Sequence, residues 1–461
     1  MAAMPPTVCD ASAVELDQTP VSPQPDGPRL SGEAAAAEDR NFLVLATYLV
    51  VVRTGWIFKT ESIVMPAVLD TITGGGPMGG FLRGFLPVLN RLSHSIPPML
   101  FSRRLKVLPQ KRRVVLTTTT VMAAIFLLLA AVWWQLAGRV PGWLPVFFLV
   151  AYVSFFCATG INNLAVDTLQ GKLVPVTRRG RLLLVANVVG ATTAIVAVAV
   201  LMPLWLTAEG GRFEMIFGFT GLCFAAAVLL LLMLKEPRDR FDEPGRGVRQ
   251  LLGSAWELLR SDASFRRLAW VAMTFSCSML LFPHYQSLGR RAPLSLTFDN
   301  LLIWLIVQNV GTALFSLVAG PIADRRGNRL ALRLVMLGIC SMPIVAIGLS
   351  HWAAWGATLF PGVFLFIGLM PVGFKTFNNY TLELCDAEDH PRYLSTLGLC
   401  FALPLLVSPA VGWVVEATSF EAVFLAVSCI LVVGWLLTFR LSEPRHAIQV
   451  AALAEVVPED D

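Results

Sequence analysis

The sequence predicts an all-α integral membrane protein with twelve transmembrane helices arranged as two six-helix bundles. Three observations lead there. The 461 residues are 56% hydrophobic and only 15% charged, with a mean hydropathy of +0.67, whereas soluble domains carry about 25% charged residues. Apolar runs long enough to cross about 30 Å of hydrocarbon as helices, roughly 20 residues each, recur from Asn41 to Leu441. The two halves of the chain also echo one another.

The spans are expected at 42–69, 79–101, 114–137, 143–168, 181–206, 212–234, 267–289, 299–321, 331–350, 353–380, 393–416 and 420–441. Helices are required because lipid offers no partner to an unpaired backbone group, and the runs are too uniform for the alternation of a barrel. Residues 1–40 hold six prolines and seven acids against Arg29 and Arg40, which reads as a disordered acidic tail. Residues 41–234 form the first expected bundle, 235–266 a cytoplasmic central loop, 267–441 the second bundle and 442–461 a cytoplasmic C-terminal tail. The eight cysteines stand singly, so neither a disulfide framework nor a zinc site is indicated, and no cofactor is expected.

Basic residues set the expected orientation. Of the 36 lysines and arginines, 27 fall in the N-terminal tail, the even-numbered connections and the C-terminal end, five on the other side (Arg83, Arg139, Arg212, Arg290 and Arg291), and four within spans. Positive loops are retained in the cytoplasm, so both termini are expected there, in the plasma (inner) membrane. The halves echo each other in Lys235-Glu236-Pro237-Arg238 after span six and Ser442-Glu443-Pro444-Arg445 after span twelve. Asn162-Asn163 with Asp167 likewise recurs as Asn378-Asn379 with Glu383. Repeats of this kind build proteins whose binding site lies at the midplane, between the repeats.

Charged side chains inside hydrocarbon cost at least about 2.5–3.5 kcal/mol and therefore face a partner or water. They are unevenly placed. Arg53, Lys59 and Glu61 fall in span one, Arg91 and His94 in span two, His284, Tyr285 and Gln286 in span seven, Gln308 and Asn309 in span eight, and Lys375 in span ten, while spans three, six, nine and twelve have uncharged middles. The first set is expected to line a substrate or proton cavity, and the second group of spans to face lipid. Taking span one as a continuous helix, Glu61 and Arg91 share a depth and could pair, with Lys59 pointing elsewhere. A cytoplasmic gate is expected from Asn163 and Asp167 with Arg178 and Arg179 in one half, and from Asn379 and Glu383 with Arg392 in the other.

Between spans eight and nine, Gly320-Pro321-Ile322-Ala323-Asp324-Arg325-Arg326-Gly327-Asn328-Arg329 resembles the loop signature of the major facilitator superfamily, departing only at Asn328. Gly320 would permit close helix approach, Asp324 would cap a helix and take basic partners such as Arg325 and Arg329, and Gly327 would allow a tight reversal. The corresponding first-half loop, 101–113, keeps only its basic cluster. The resemblance implies a secondary transporter working by alternating access. The mixed basic, acidic and amide lining suits a small polar or anionic organic solute more than a large apolar cation, with proton coupling through Glu61 or His284. The competing expectation is a transporter-like protein that serves as an assembly factor or sensor without transport. No His-Glu-x-x-His, Gly-x-Ser-x-Gly or phosphate-cradling loop suggests an enzyme. The expected partners are a small-molecule substrate, the lipid bilayer and protons, with no nucleic acid, and a monomer encloses a complete path.

Overall fold

The computed structural model describes residues 32–443 apart from 175, 208–209, 239–247, 292 and 386–388. Most of the expected N-terminal tail, part of the central loop and nearly all of the C-terminal tail lie outside the described residues. The helices are α1 (Gly32–Ile57), α2 (Val64–Thr73), α3 (Gly76–Val107), α4 (Arg112–Leu136), α5 (Leu144–Leu173), α6 (Val176–Trp205), α7 (Phe213–Leu232), α8 (Val248–Ser261), α9 (Ala263–Cys277), α10 (Phe282–Arg290), α11 (Asn300–Arg326), α12 (Asn328–His351), α13 (Gly356–Leu359), α14 (Pro361–Ile367), α15 (Leu369–Leu382), α16 (His390–Ala402), α17 (Ser408–Ala417) and α18 (Phe420–Leu437). A two-residue antiparallel pair, Leu206–Thr207 with Gly210–Gly211, closes the turn after α6.

These helices trace the twelve spans, with interruptions where the sequence weakens the backbone ladder. Span one is α1 and α2 joined by an unwound stretch at 58–63. Span seven is α9 and α10 joined by a 3₁₀ turn, Ser278–Leu281, just ahead of Pro283; span ten is α13 to α15; and span eleven is α16 and α17 joined by Leu403–Val407, which contains Pro404. Ten segments are long and apolar enough to cross a membrane by length and composition. Spans one and two fall outside that count, one because it is broken and charged, the other because α3 carries Arg83, Asn90, Arg91, His94 and three internal prolines.

The contacts sort the helices into two bundles. In the first, α1 packs on α6 and α7, α4 on α5 and α7, and α3 on α2 and α5; in the second, α12 packs on α15 and α18, α9 on α16 and α18, and α11 on α12 and α14. Spans three, six, nine and twelve (α4, α7, α12, α18) make their main contacts within their own bundle. The bundles meet chiefly where α3 crosses α17, with smaller contacts between α2 and α10, α6 and α11, and α3 and α16. The α3–α17 crossing is set by glycine. A Cβ at Gly80 or Gly412 would collide with backbone of the opposing helix, and one at Gly84 would strike the Ser408 carbonyl, so the two helices approach at backbone contact.

The central connection is not only loop. Helix α8 forms within it and packs on α9 and α16 of the second bundle, burying Ala255 and Leu258. The N-terminal helix also begins at Gly32, earlier than expected.

Candidate functional site

Twelve spans bring both ends of the described chain to one face, called here the tail side; the opposite face is the far side. The far side holds a buried charge network that the sequence reading did not single out. Asp70 in α2 pairs with Arg83 in α3, Arg83 pairs with Glu416 in α17, and Glu416 pairs with Arg291 just after α10. The second Asp70 oxygen accepts from Gln286 Nε2 at 2.6 Å and Ser287 Oγ at 2.9 Å, both in α10. Arg83 and Glu416 are each 1% exposed. Two carboxylates and two guanidiniums thus alternate across the seam, and the Asp70–α10 and Arg83–Glu416 links each join one bundle to the other. The signal in the sequence is Asp70 and Glu416 near the ends of apolar runs; the charge count places Arg83 on the far side, where its side chain is buried in the seam.

At mid-depth the break in span one creates a second cluster. Lys59, 1% exposed, lies with its ammonium 3.3 Å from the Trp56 ring centroid, 4.1 Å from that of Phe156 and 4.8 Å from that of Phe155, a cation–π enclosure. The same ammonium donates to Glu61 Oε1 at 3.1 Å. The other Glu61 oxygen accepts from Asn90, whose amide oxygen faces His94 Nδ1 at 3.3 Å. This corrects the helical-wheel expectation: the Glu61 carboxylate pairs with Lys59 rather than Arg91. A continuous helix would send residues 59 and 61 about 200° apart, whereas the unwound stretch at 58–63 lets them converge. Its backbone turns on the Thr60 carbonyl, which accepts from the amides of Ile63, Val64 and Met65.

Arg91 reaches across to the second bundle instead. Its guanidinium lies over Phe374 and Phe401, with its central carbon 4.2 and 5.2 Å from the ring centroids, and no described residue accepts a hydrogen bond from it. Phe275 and Phe377 buttress those two rings. Gln308 accepts from Ser62 Oγ at 2.7 Å, another link between bundles, while Asn309 donates to its own helix at Leu305 O. His284 and Tyr285 are fully buried, against Phe420 and Phe424, with no hydrogen bond to either ring nitrogen or to the hydroxyl among the described residues. Arg53 packs on Gly190 of α6. Lys375 is exposed, one residue beyond Phe374.

The tail side is built differently. Asn163, Asp167, Asn378 and Asn379 are exposed despite lying on membrane-spanning helices, whereas Asn162 is buried, accepting from the Tyr48 hydroxyl and donating to Thr118 and Thr119. Among the described residues, the following ion pairs stay inside single bundles. Arg178 pairs with Glu38 and Asp39, whose carboxylates hold its guanidinium above the ordinary arginine value, rather than with Asp167. Arg392 pairs with Glu257 of α8 at 3.3 Å rather than with Glu383, which accepts from Asn328 at 2.9 Å. Lys172 pairs with Glu236 and Arg329 with Glu443. The side chains of Arg179 and Asp324 lie outside the described residues, and Arg325 is exposed. Gly320 makes no close approach, since a Cβ there would meet nothing within 4 Å; Gly327, at φ +89°, does have a tight role, lying against the Glu443 carboxylate.

Two bundles joined by a charged seam on one side, with polar side chains gathered at the middle, define a multi-pass membrane transporter rather than an enzyme. The family model of the Major Facilitator Superfamily matches residues 100–385 and 296–456, and the chain belongs to that family. Among solved structures it is similar to the nucleoside transporter NupG (15% identity, TM-score 0.61, covering 87% of this chain and 98% of that one). It is similar too to a D-xylose-proton symporter (15%, 0.61, 87% and 98%). A bacterial homologue of the iron transporter ferroportin in an inward-facing state also matches (14%, 0.62, 88% and 98%). At these identities the likeness is one of fold. No curated protein matches the sequence.

Proposed function

We propose that this chain moves a small polar organic solute across the plasma membrane by alternating access, and that the described conformation is closed on the far side and open on the tail side. One observation carries this reading: the buried far-side ion pairs form a network that crosses between bundles, with only the exposed pairs Arg212–Glu214 and His351–Glu421 standing apart from it among the described far-side residues, while the tail-side pairs named above stay within bundles and leave Asp167, Lys375 and Asn379 exposed. Interactions across a seam bias one closed state, and their exchange for contacts on the opposite face is what a rocking motion requires. The distribution of Lys and Arg assigns the tail side to the cytoplasm, so the state is inward-open. The solute site lies at mid-depth, among Lys59, Glu61, Arg91, His94, Gln308 and Lys375. Tail-side gating falls to Asn163, Asp167, Asn379 and Glu383, which would approach one another when the far side opens.

Proton coupling is assigned to Glu61 or to His284. Glu61 is the better placed of the two, being 30% exposed at the centre, whereas His284 is sealed behind the far-side network. The test is uptake of a solute panel into proteoliposomes with and without an inward proton gradient. Uptake that loses its gradient response in Glu61→Gln, while downhill exchange persists, is the expected result. An unchanged gradient response removes Glu61 from coupling and leaves His284. Absence of uptake from every solute by correctly folded protein counts against transport itself.

A further inference from the structure

Resting on the transport reading above, the charges at the centre of the molecule narrow the solute class. Two cations, Lys59 and Arg91, stand there around one carboxylate, Glu61. Lys59 is enclosed by aromatic faces and takes the Glu61 carboxylate as its counter-ion. Arg91 is the group left over: Glu61 acts on it only through space, and its buried Nε has no hydrogen-bond partner among the described residues. A guanidinium carries five N–H donors and no acceptor, and burying such donors unused is costly. The Phe374 and Phe401 faces supply attraction and orientation to the cation but accept no N–H in the manner of an oxyanion. The side chain is therefore fixed by its face and vacant at its edge, which is the presentation that receives a carboxylate or phosphate through two parallel hydrogen bonds.

We propose that Arg91 is the receptor for the charged group of the solute, which makes the transported solute an organic oxyanion, a carboxylate or a phosphate ester. The position serves transport as well as recognition. Arg91 belongs to α3 of the first bundle and rests on rings of α15 and α16 in the second, so an anion at its edge lies at the seam itself and touches the element that both bundles share. Lys375, exposed one residue beyond Phe374, adds positive potential along the tail-side approach.

The experiment uses the purified full-length chain in detergent and four probes of similar size: benzoate, phenyl phosphate, benzyl alcohol and benzylamine. A ligand of the folded state raises the thermal midpoint through a stabilisation that grows as RT ln(1 + L/Kd), L being the free ligand concentration. Benzoate or phenyl phosphate is expected to raise it with that logarithmic concentration dependence, with the neutral and cationic probes inert; which of the two anions binds tells carboxylate from phosphate. Arg91→Lys keeps the charge but not the fork, and is expected to weaken the anion effect about ten-fold. Phe374→Leu, which leaves Arg91 intact and removes its platform, is expected to weaken it as well. The proposal is overturned if neither anion binds, if benzylamine or benzyl alcohol binds as well as the anions, or if Arg91→Lys and Phe374→Leu both bind them as the native chain does. Binding is read without any gradient, so its outcome is separable from that of the uptake assay.

Discussion

Arg83 is the residue whose environment departs furthest from what its type prefers, being 1% exposed between two carboxylates from different bundles. Removing one partner of a buried ionic group strands the others and costs about 3–5 kcal/mol, whereas replacing the whole group with neutral residues of similar shape is near neutral. Arg83→Met is therefore expected to lower the thermal midpoint sharply. The triple change Arg83→Met, Asp70→Asn, Glu416→Gln is expected to recover most of the loss, as read by thermal unfolding in one detergent. The mid-depth pair behaves asymmetrically. Glu61→Gln leaves the Lys59 ammonium sealed among rings, while Lys59→Met leaves a carboxylate that is 30% exposed to water. The first substitution should destabilise more than the second, and the reverse order would mean that Glu61 is sealed in the native fold. By contrast, Arg392→Gln breaks a pair whose Glu257 partner is 74% exposed, and its effect on the midpoint should correspond to less than about 1 kcal/mol.

At the level of elements, the echo between the halves acquires a physical meaning. Glu236, after α7, accepts from the backbone amides of Lys111 and Arg112 at 2.9 and 2.7 Å, capping the start of α4; Glu443, after α18, sits against Gly327 at the start of α12 and pairs with Arg329. The glutamate of each Glu-Pro-Arg thus fastens the last helix of its bundle to the third, using the affinity of a carboxylate for a helix N-terminus. The asparagine echo is split: Asn162 is buried in a hydrogen-bonded cluster while its counterpart Asn378 is exposed, whereas Asn163 and Asn379 are both exposed. The other decisive element is the α3–α17 crossing. Gly84→Leu places a side chain where the Ser408 carbonyl lies, so the far side should be held open. In a background lacking native cysteines, Leu288→Cys, 8% exposed in the closed seam, is expected to react with an impermeant maleimide from the far side markedly faster when Gly84→Leu is also present. An unchanged rate would mean that the crossing does not govern closure.

For the whole molecule, the described state makes a directional prediction. Lys375 is exposed on the tail side of the seam, so Lys375→Cys should be labelled by an impermeant reagent applied from the cytoplasmic face and protected from the outside. Equal labelling from both faces would contradict an inward-open state. Much of this architecture was legible in the chain alone. Hydrophobic run length dictated the spans, because a helix must satisfy its own backbone in lipid. The distribution of charge set α4, α7, α12 and α18 apart as helices expected to face lipid, because an uncharged middle tolerates hydrocarbon; their main contacts lie within their own bundle. The six-plus-six division followed from the Lys235–Arg266 connection and the Glu-Pro-Arg echo. Pairing was not legible. Which cation meets Glu61 depends on a helix break that residue spacing does not announce, and the Asp70–Arg83–Glu416–Arg291 chain unites positions up to 346 residues apart. Sequence thus determined where this chain crosses the membrane and which helices carry charge, since those follow from the local cost of burying polar groups. Tertiary structure alone decided which charges meet and which side of the seam is shut, since these depend on how two bundles touch.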